Sequence, residues 1–226
     1  MNKYKLTTIL EKFAPLDTQE KWDCSGWQVE LGDVEIKKVM IALTVTEDVY
    51  NQSIENNCDM IIAHHPLFEV PIKFSNINIY SAHTNMDKAF GGTTDTFIRE
   101  LGFDVNQSTE FLRICEKEIS VDDLSKKIKK VSPNARLINN SNKINVSKIG
   151  FCAGSGMDLY NEAIALGCDC FVTGDIKYHN AVESSIVMFD VGHFDSEILI
   201  KKVFQGLIED NIEVCIANEE SPFKNI

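Results

Sequence analysis

The two halves of this 226-residue chain repeat one another at a constant spacing of 110 residues. Val49-Tyr50-Asn51 recurs as Leu159-Tyr160-Asn161, Cys58-Asp59 as Cys168-Asp169, and Lys38-Val39 as Lys148-Ile149. The same offset carries His83 onto His193 and Asp87 onto Glu197. Any two strand-helix segments share a hydrophobic pattern. They do not by chance hold Tyr-Asn, Cys-Asp and a His-x-x-x-acid pair in one register. An internal duplication without gaps explains this, and it requires both halves to fold alike. One difference stands out: His64-His65 falls on Gly174-Asp175.

Within each half, apolar runs of strand length alternate with helix-period segments. Strands are expected over 38–43, 59–63 and 79–82, and helices over 6–14, 47–57 and 94–101. The second half repeats this with strands over 148–153, 169–173 and 186–191, and helices over 157–166 and 196–209, before a last strand over 212–217. Such alternation implies right-handed βαβ units and largely parallel sheets. The expected fold class is therefore α/β, with two similar lobes, mostly parallel sheets and a metal site in the cleft between them. The first lobe spans 1–105, and the stretch from about 195 to 226 is positioned to pack with it. Residues 106–226 carry a connecting segment and the second lobe, with strands over 111–119 and 135–138 and a helix over 121–130 begun by Asp122 and Asp123.

All five histidines lie where an apolar run breaks off. In Ile61-Ile62-Ala63-His64-His65-Pro66 the run ends in two imidazoles, and proline stops further pairing. His83 and His193 follow their own strands. Sites in open α/β sheets form beyond the carboxyl ends of the strands. Two facing lobes would bring these ends together. His193 and Glu197 stand one helical turn apart and can address one ion, and His83 with Asp87 repeats that spacing. Adjacent side chains diverge in extended chain, so His64 and His65 suit two ions, or one ligand and one supporting group. His64, His65, Asp87, His193 and Glu197 are thus the expected metal ligands, a set that suits two divalent ions about 3.5–4 Å apart. His83 is either a ligand or a proton-handling residue, and His179 an acid–base or substrate contact oriented by Asp175. Nitrogen and oxygen donors of this kind accept Zn, Fe, Mn, Co or Ni.

Composition narrows the partners. A net charge of −12 argues against nucleic acid or an anionic membrane. Met1-Asn2-Lys3-Tyr4-Lys5-Leu6 lacks the apolar core of a signal peptide, and no apolar run reaches the roughly 20 residues of a membrane helix, so a cytoplasmic location is expected. Seven cysteines without a CxxC pair read as buried reduced thiols. Ala153-Gly154-Ser155-Gly156 is a tight strand-to-helix turn whose amides could also cradle a phosphate. The tryptophans of Trp22-Asp23-Cys24-Ser25-Gly26-Trp27 are expected to pack on the N-terminal helix.

Together, Trp22-Asp23-x-x-Gly26-x-Gln28-Val29, Ala63-His64-His65-Pro66, Ala82-His83-Thr84-Asn85-x-Asp87, Thr173-Gly174-Asp175 and Gly192-His193-x-x-x-Glu197 resemble the Nif-three-like dinuclear-metal proteins. These are also called GTP cyclohydrolase I type II homologues. The resemblance runs in order through nearly the whole chain. It implies two similar α/β lobes with a metal pair between them, ligation by the five residues named above, and a toroidal homohexamer with sites facing an internal cavity. Phe111-Leu112-Arg113-Ile114 departs from the family's Gly-x-Gly-Arg stretch, and Trp27 from a smaller apolar residue. There is no room for the extra domain that longer members insert between the halves.

The function expected from these features is a metal-dependent hydrolase acting on a nucleotide or related small molecule. Non-enzymatic storage or delivery of iron or another metal is the alternative, and a regulatory interaction protein is a third reading. Fold and metal site do not by themselves fix a substrate.

Overall fold

Strands that are apolar on both faces need helices on both sides. Five short strands of this chain meet that condition, being buried along nearly their whole length. The computed structural model describes residues 1–32 and 34–224. In chain order the first elements are α1 (Lys3–Phe13), β1 (Gly26–Val29), β2 (Lys38–Ala42), α2 (Glu47–Glu55), β3 (Met60–Ala63), β4 (Asn78–Ser81) and α3 (Thr84–Lys88). Then come α4 (Thr93–Glu100), β5 (Gln107–Ser108), β6 (Arg113–Ser120), α5 (Val121–Val131), β7 (Arg136–Ile138) and β8 (Asn145–Phe151). The rest are α6 (Tyr160–Ala165), β9 (Cys170–Thr173), α7 (Tyr178–Val182), β10 (Val187–Asp190), α8 (His193–Glu197), α9 (Ile200–Ile208) and β11 (Glu213–Ile216).

The chain divides into two compact units, Met1–Gly92 with Ile200–Ile226, and Thr93–Leu199. In the first, the sheet order is β1-β4-β3-β2-β11. Strands β11, β2, β3 and β4 run parallel, and β1 closes one edge antiparallel. Met40, Ala42, Val49, Ile61, Ala63 and Ile79 fill one face. In the second unit the order is β5-β6-β8-β9-β10-β7. Its centre, β8-β9-β10, is parallel and its flanking pairings are antiparallel. Neighbouring residues there enter opposite cores: Val172 and Phe189 join Phe97 and Phe151, whereas Phe171 and Met188 join Leu112 and Ala163. That is the period-two signature of a strand covered on both faces.

The duplication is visible in backbone pairing. Val39 lies opposite Met60 as Ile149 lies opposite Cys170. Asp59 accepts from the amides of Lys37 and Lys38 at 2.7 and 3.0 Å, and Asp169 from those of Ser147 and Lys148, both at 3.0 Å. The register is not gapless, however. Met60 pairs with Asn78 but Cys170 with Val187, a slip of one residue. The extra residue falls before His193, where Gly192 takes a left-handed φ of +71°. Glycine adopts that conformation without penalty.

Three further expectations change. The division falls after Gly92, not at 105, because Phe97 and Ile98 of α4 bury among Phe151 and Val187. The connecting segment expected at the start of 106–226 belongs to the second sheet, which β5, β6 and β7 extend. The single helix expected over 196–209 is two helices, broken at Ile198 and Leu199. Leu199 packs on the second unit's core while Ile200 is fully buried in the first, so one continuous apolar face would have to serve two cores.

Candidate metal centre

Where β3 ends, His64 and His65 stand side by side, and His83 follows the end of the neighbouring β4. Their ligand atoms lie within 4.8 Å of one another. The hydrogen bonds behind these rings dictate their chemistry. His64, fully buried, places Nδ1 2.9 Å from the Ala82 carbonyl oxygen. A carbonyl only accepts, so Nδ1 is the ring nitrogen that donates. His83 places Nδ1 3.0 Å from the Asp23 carboxylate, which likewise only accepts. His65 Nδ1 lies 2.7 Å from Thr44 Oγ1. Asp87 sends Oδ1 to 3.4 Å from His64 Nε2, and His83 holds the N-cap position of α3.

Asp23, between Trp22 and Cys24, holds the His83 ring, a role that no local sequence pattern signals. Its carboxylate receives Cys24 N (2.8 Å), Ser25 Oγ (2.9 Å), Thr84 N (3.1 Å) and Thr84 Oγ1 (2.5 Å) besides His83. Burial raises its pKa, but the bonds from Thr84 and His83 outweigh that and hold it at about 2. Trp22 is 62% exposed and meets the His83 ring edge-on at 5.9 Å, whereas Trp27 packs between Tyr4 and Tyr80. Only the second tryptophan meets the packing expectation.

In the second unit, His193 opens α8 and Glu197 follows one turn later, with Nε2 and Oε2 2.9 Å apart. The other ring nitrogen, Nδ1, lies 2.8 Å from Asp175 Oδ2. Glu197 above all, with Asp175 behind it and burial opposing, raises the His193 pKa to about 9. A proton there neutralises two facing electron-rich groups, a role that a divalent cation can also fill.

The glycines of this unit make room for Glu197. A Cβ at Gly154 would lie 2.0 Å from Glu197 Oε1, and one at Gly174 would lie 2.9 Å from His193 N. The amides of the Gly154-Ser155-Gly156 turn are largely committed, Gly154 N to Ser196 Oγ at 3.0 Å and Gly156 N to Thr173 Oγ1 at 2.9 Å. The phosphate-cradle reading is therefore replaced by tight packing. Asp175 orients His193 and not His179, which is exposed on α7 against Tyr178. Beside it, Ser155, Met157, Asp158, Asp175, Lys177 and Asn180 line a cavity of about 240 Å³. Arg113, in the stretch that departs from the family's glycines, is buried and paired with Asp95 at 2.7 Å.

Two α/β units carrying histidine and carboxylate groups able to hold a metal ion define the class of protein. More particularly, the chain belongs to the Duf34/NIF3 (NGG1p interacting factor 3) family, whose model matches residues 1–222. It is 31% identical to the GTP cyclohydrolase 1 type 2 homolog of Clostridium acetobutylicum over 97% of each chain. A protein of the same description from Clostridium perfringens is 32% identical over 98% of each. The fold matches the crystal structure of a Staphylococcus aureus hypothetical protein with a TM-score of 0.89 and 23% identity, covering 100% of this chain and 99% of that one. No helix among the described residues is long and apolar enough to cross a membrane.

Proposed function

We propose that this chain binds two divalent metal ions and uses them as a hydrolase of nucleotides or related small molecules. The carrying observation is the shared orientation of the imidazoles. His64, His83 and His193 each turn Nδ1 to an acceptor, and Nε2 of His64 and of His193 faces a carboxylate, Asp87 at 3.4 Å and Glu197 at 2.9 Å. Metal-ligating histidines show this arrangement, in which the partner behind the ring fixes the tautomer and raises basicity. The ligands are His64, His65 and Asp87 from the first unit and His193 and Glu197 from the second. Zn, Fe, Mn, Co and Ni all suit such donors.

Bound divalent ions supply Lewis acidity, which activates water at neutral pH. His83, held by Asp23, is the proton-transfer residue, and His179 is the second candidate for that task. The names of the clostridial relatives support hydrolysis of a GTP-like substrate. The polar cavity beside Asp175 offers space for a small molecule. The family resemblance extends the proposal to a toroidal homohexamer.

The test is metal analysis of the purified chain followed by turnover assays on GTP, cyclic nucleotides and phosphoesters, with Glu197→Ala alongside. About two ions per chain and turnover abolished by the variant are expected. Less than one ion per chain under metal-replete conditions overturns the metal reading. Turnover equal in both proteins, or none at all, overturns the hydrolase reading. Metal transfer to an apo-acceptor without turnover makes the chain a carrier instead.

A further inference from the structure

In the second unit, two turns that leave the carboxyl ends of adjacent parallel strands enclose a cavity. Strands β8 and β9 run parallel and end at Phe151 and Thr173. Ser155, Met157 and Asp158 follow the first, and Asp175, Lys177 and Asn180 follow the second; these residues line the cavity of about 240 Å³. Ligands of open α/β sheets bind beyond such strand ends.

The walls of this cavity are preformed. The two turns are tied to each other, Gly174 N donating to the Gly154 carbonyl at 2.7 Å. Ser155 stands between Gly154 and Gly156, whose amides donate to Ser196 Oγ and Thr173 Oγ1. Asp175 holds a left-handed φ of +55°, which is unfavourable for a residue other than glycine and concentrates at ligand sites. The buried Asp190 carboxylate secures that turn, accepting from Ile176 N at 3.3 Å and from Gly192 N at 3.1 Å.

The lining points to a class of ligand. Asp175 faces His193 Nδ1 at 2.8 Å, but the side chains of Ser155, Asp158, Lys177 and Asn180 make no hydrogen bond or ion pair with any other described residue. Asp158 and Lys177 thus bring opposite charges to one cavity without pairing. A carboxylate only accepts and suits hydroxyl groups, whereas an ammonium only donates and suits a phosphate. Ser155 and Asn180 can bond to either. Met157 is the one apolar side chain of the lining and none is aromatic, so a nucleobase finds no ring to stack on. At about 240 Å³ the space also falls short of the roughly 300 Å³ at which pockets for whole small molecules begin.

We propose that this cavity binds a phosphorylated sugar, with Asp158 receiving its vicinal hydroxyls and Lys177 facing its phosphate. In a nucleotide that portion is the ribose phosphate, and the cavity is then the sugar subsite beside His193. The nucleotide half rests on the hydrolase reading, whereas the sugar-phosphate half does not.

The probes are ribose 5-phosphate, its 2-deoxy analogue and GMP, titrated into metal-free protein and followed by ligand-observed NMR. Wild type is expected to bind ribose 5-phosphate about tenfold more tightly than the 2-deoxy sugar. Asp158→Ala is expected to erase that preference, and Lys177→Met to weaken both sugar phosphates about tenfold. Both side chains are exposed, so neither variant endangers the fold. GMP is expected to displace ribose 5-phosphate. No binding of ribose 5-phosphate at millimolar concentration, equal affinity for the two sugars, or affinities unchanged in both variants overturns the proposal. GMP that fails to displace ribose 5-phosphate overturns the nucleotide half and leaves a free sugar phosphate as the ligand. The expected preferences in a chain that turns over no nucleotide support the cavity site and overturn the hydrolase reading instead.

Discussion

Replacing Asp23 tests the framework behind His83. Its carboxylate collects five donors from Cys24, Ser25, His83 and Thr84, and its side chain is fully shielded from solvent. A carboxyl held at about 2 instead of 3.8 contributes about 2 kcal/mol of pH-dependent stability, at about 1.4 kcal/mol per unit. Because the folded-state pKa is depressed, that contribution is complete above the unfolded value. It is lost as pH falls from about 5 toward 2. Asp23→Asn keeps one acceptor oxygen and turns an amide nitrogen toward donors. It is expected to lower unfolding free energy by about 2–3 kcal/mol at pH 7. The deficit should shrink by about 2 kcal/mol as the wild-type carboxyl protonates. Asp23→Ala, which strands all five donors, should cost about 3–4 kcal/mol at pH 7. Urea titrations of metal-free protein at pH 7, 5 and 3 read this through tryptophan fluorescence, since Trp22 and Trp27 flank the site. A difference between wild type and Asp23→Asn that stays constant with pH, or is below about 0.5 kcal/mol at pH 7, would refute the reasoning.

Other sites give separate tests. Gly154→Ala should displace the buried Glu197 carboxylate and strain a φ of +66°, costing about 1–2 kcal/mol and at least about tenfold in Zn²⁺ affinity by calorimetry. Asp95→Ala should strand the buried Arg113 guanidinium and cost about 3–5 kcal/mol, with Asp95→Leu/Arg113→Met recovering most of it. Far-UV circular dichroism is the suitable probe there, because both tryptophans lie in the other unit. In metal-free protein, His193 should titrate by NMR at about 9 and lower in Asp175→Asn. Its raised pKa contributes stability that is full below about 6.5 and lost as pH rises through 9, so Zn²⁺ competes better as pH increases over that span.

Much of the architecture was legible because its signals are local. Apolar runs marked the central strands of both sheets to within a few residues, and histidines at strand ends marked the candidate ligands. His193 and Glu197, four residues apart, needed only helical periodicity to bring them together. His64 and Asp87 are 23 residues apart, and their approach depends on β3 and β4 being neighbours. The gapless repeat failed at one residue because a left-handed glycine can be inserted before a helix without disturbing the pattern on either side.

The alternation of strand and helix, the duplicated halves and the imidazoles and carboxylates at the strand ends can be read from the chain. All of these follow from periodicity and residue chemistry within short windows. Only the packing decided that Thr93–Glu100 joins the second unit. It also decided what stands behind the His83 ring, since Asp23 reaches it across 60 residues. Helix and strand periods carry no information over such separations. The partner of a ring nitrogen depends on which segments packing brings within about 3 Å.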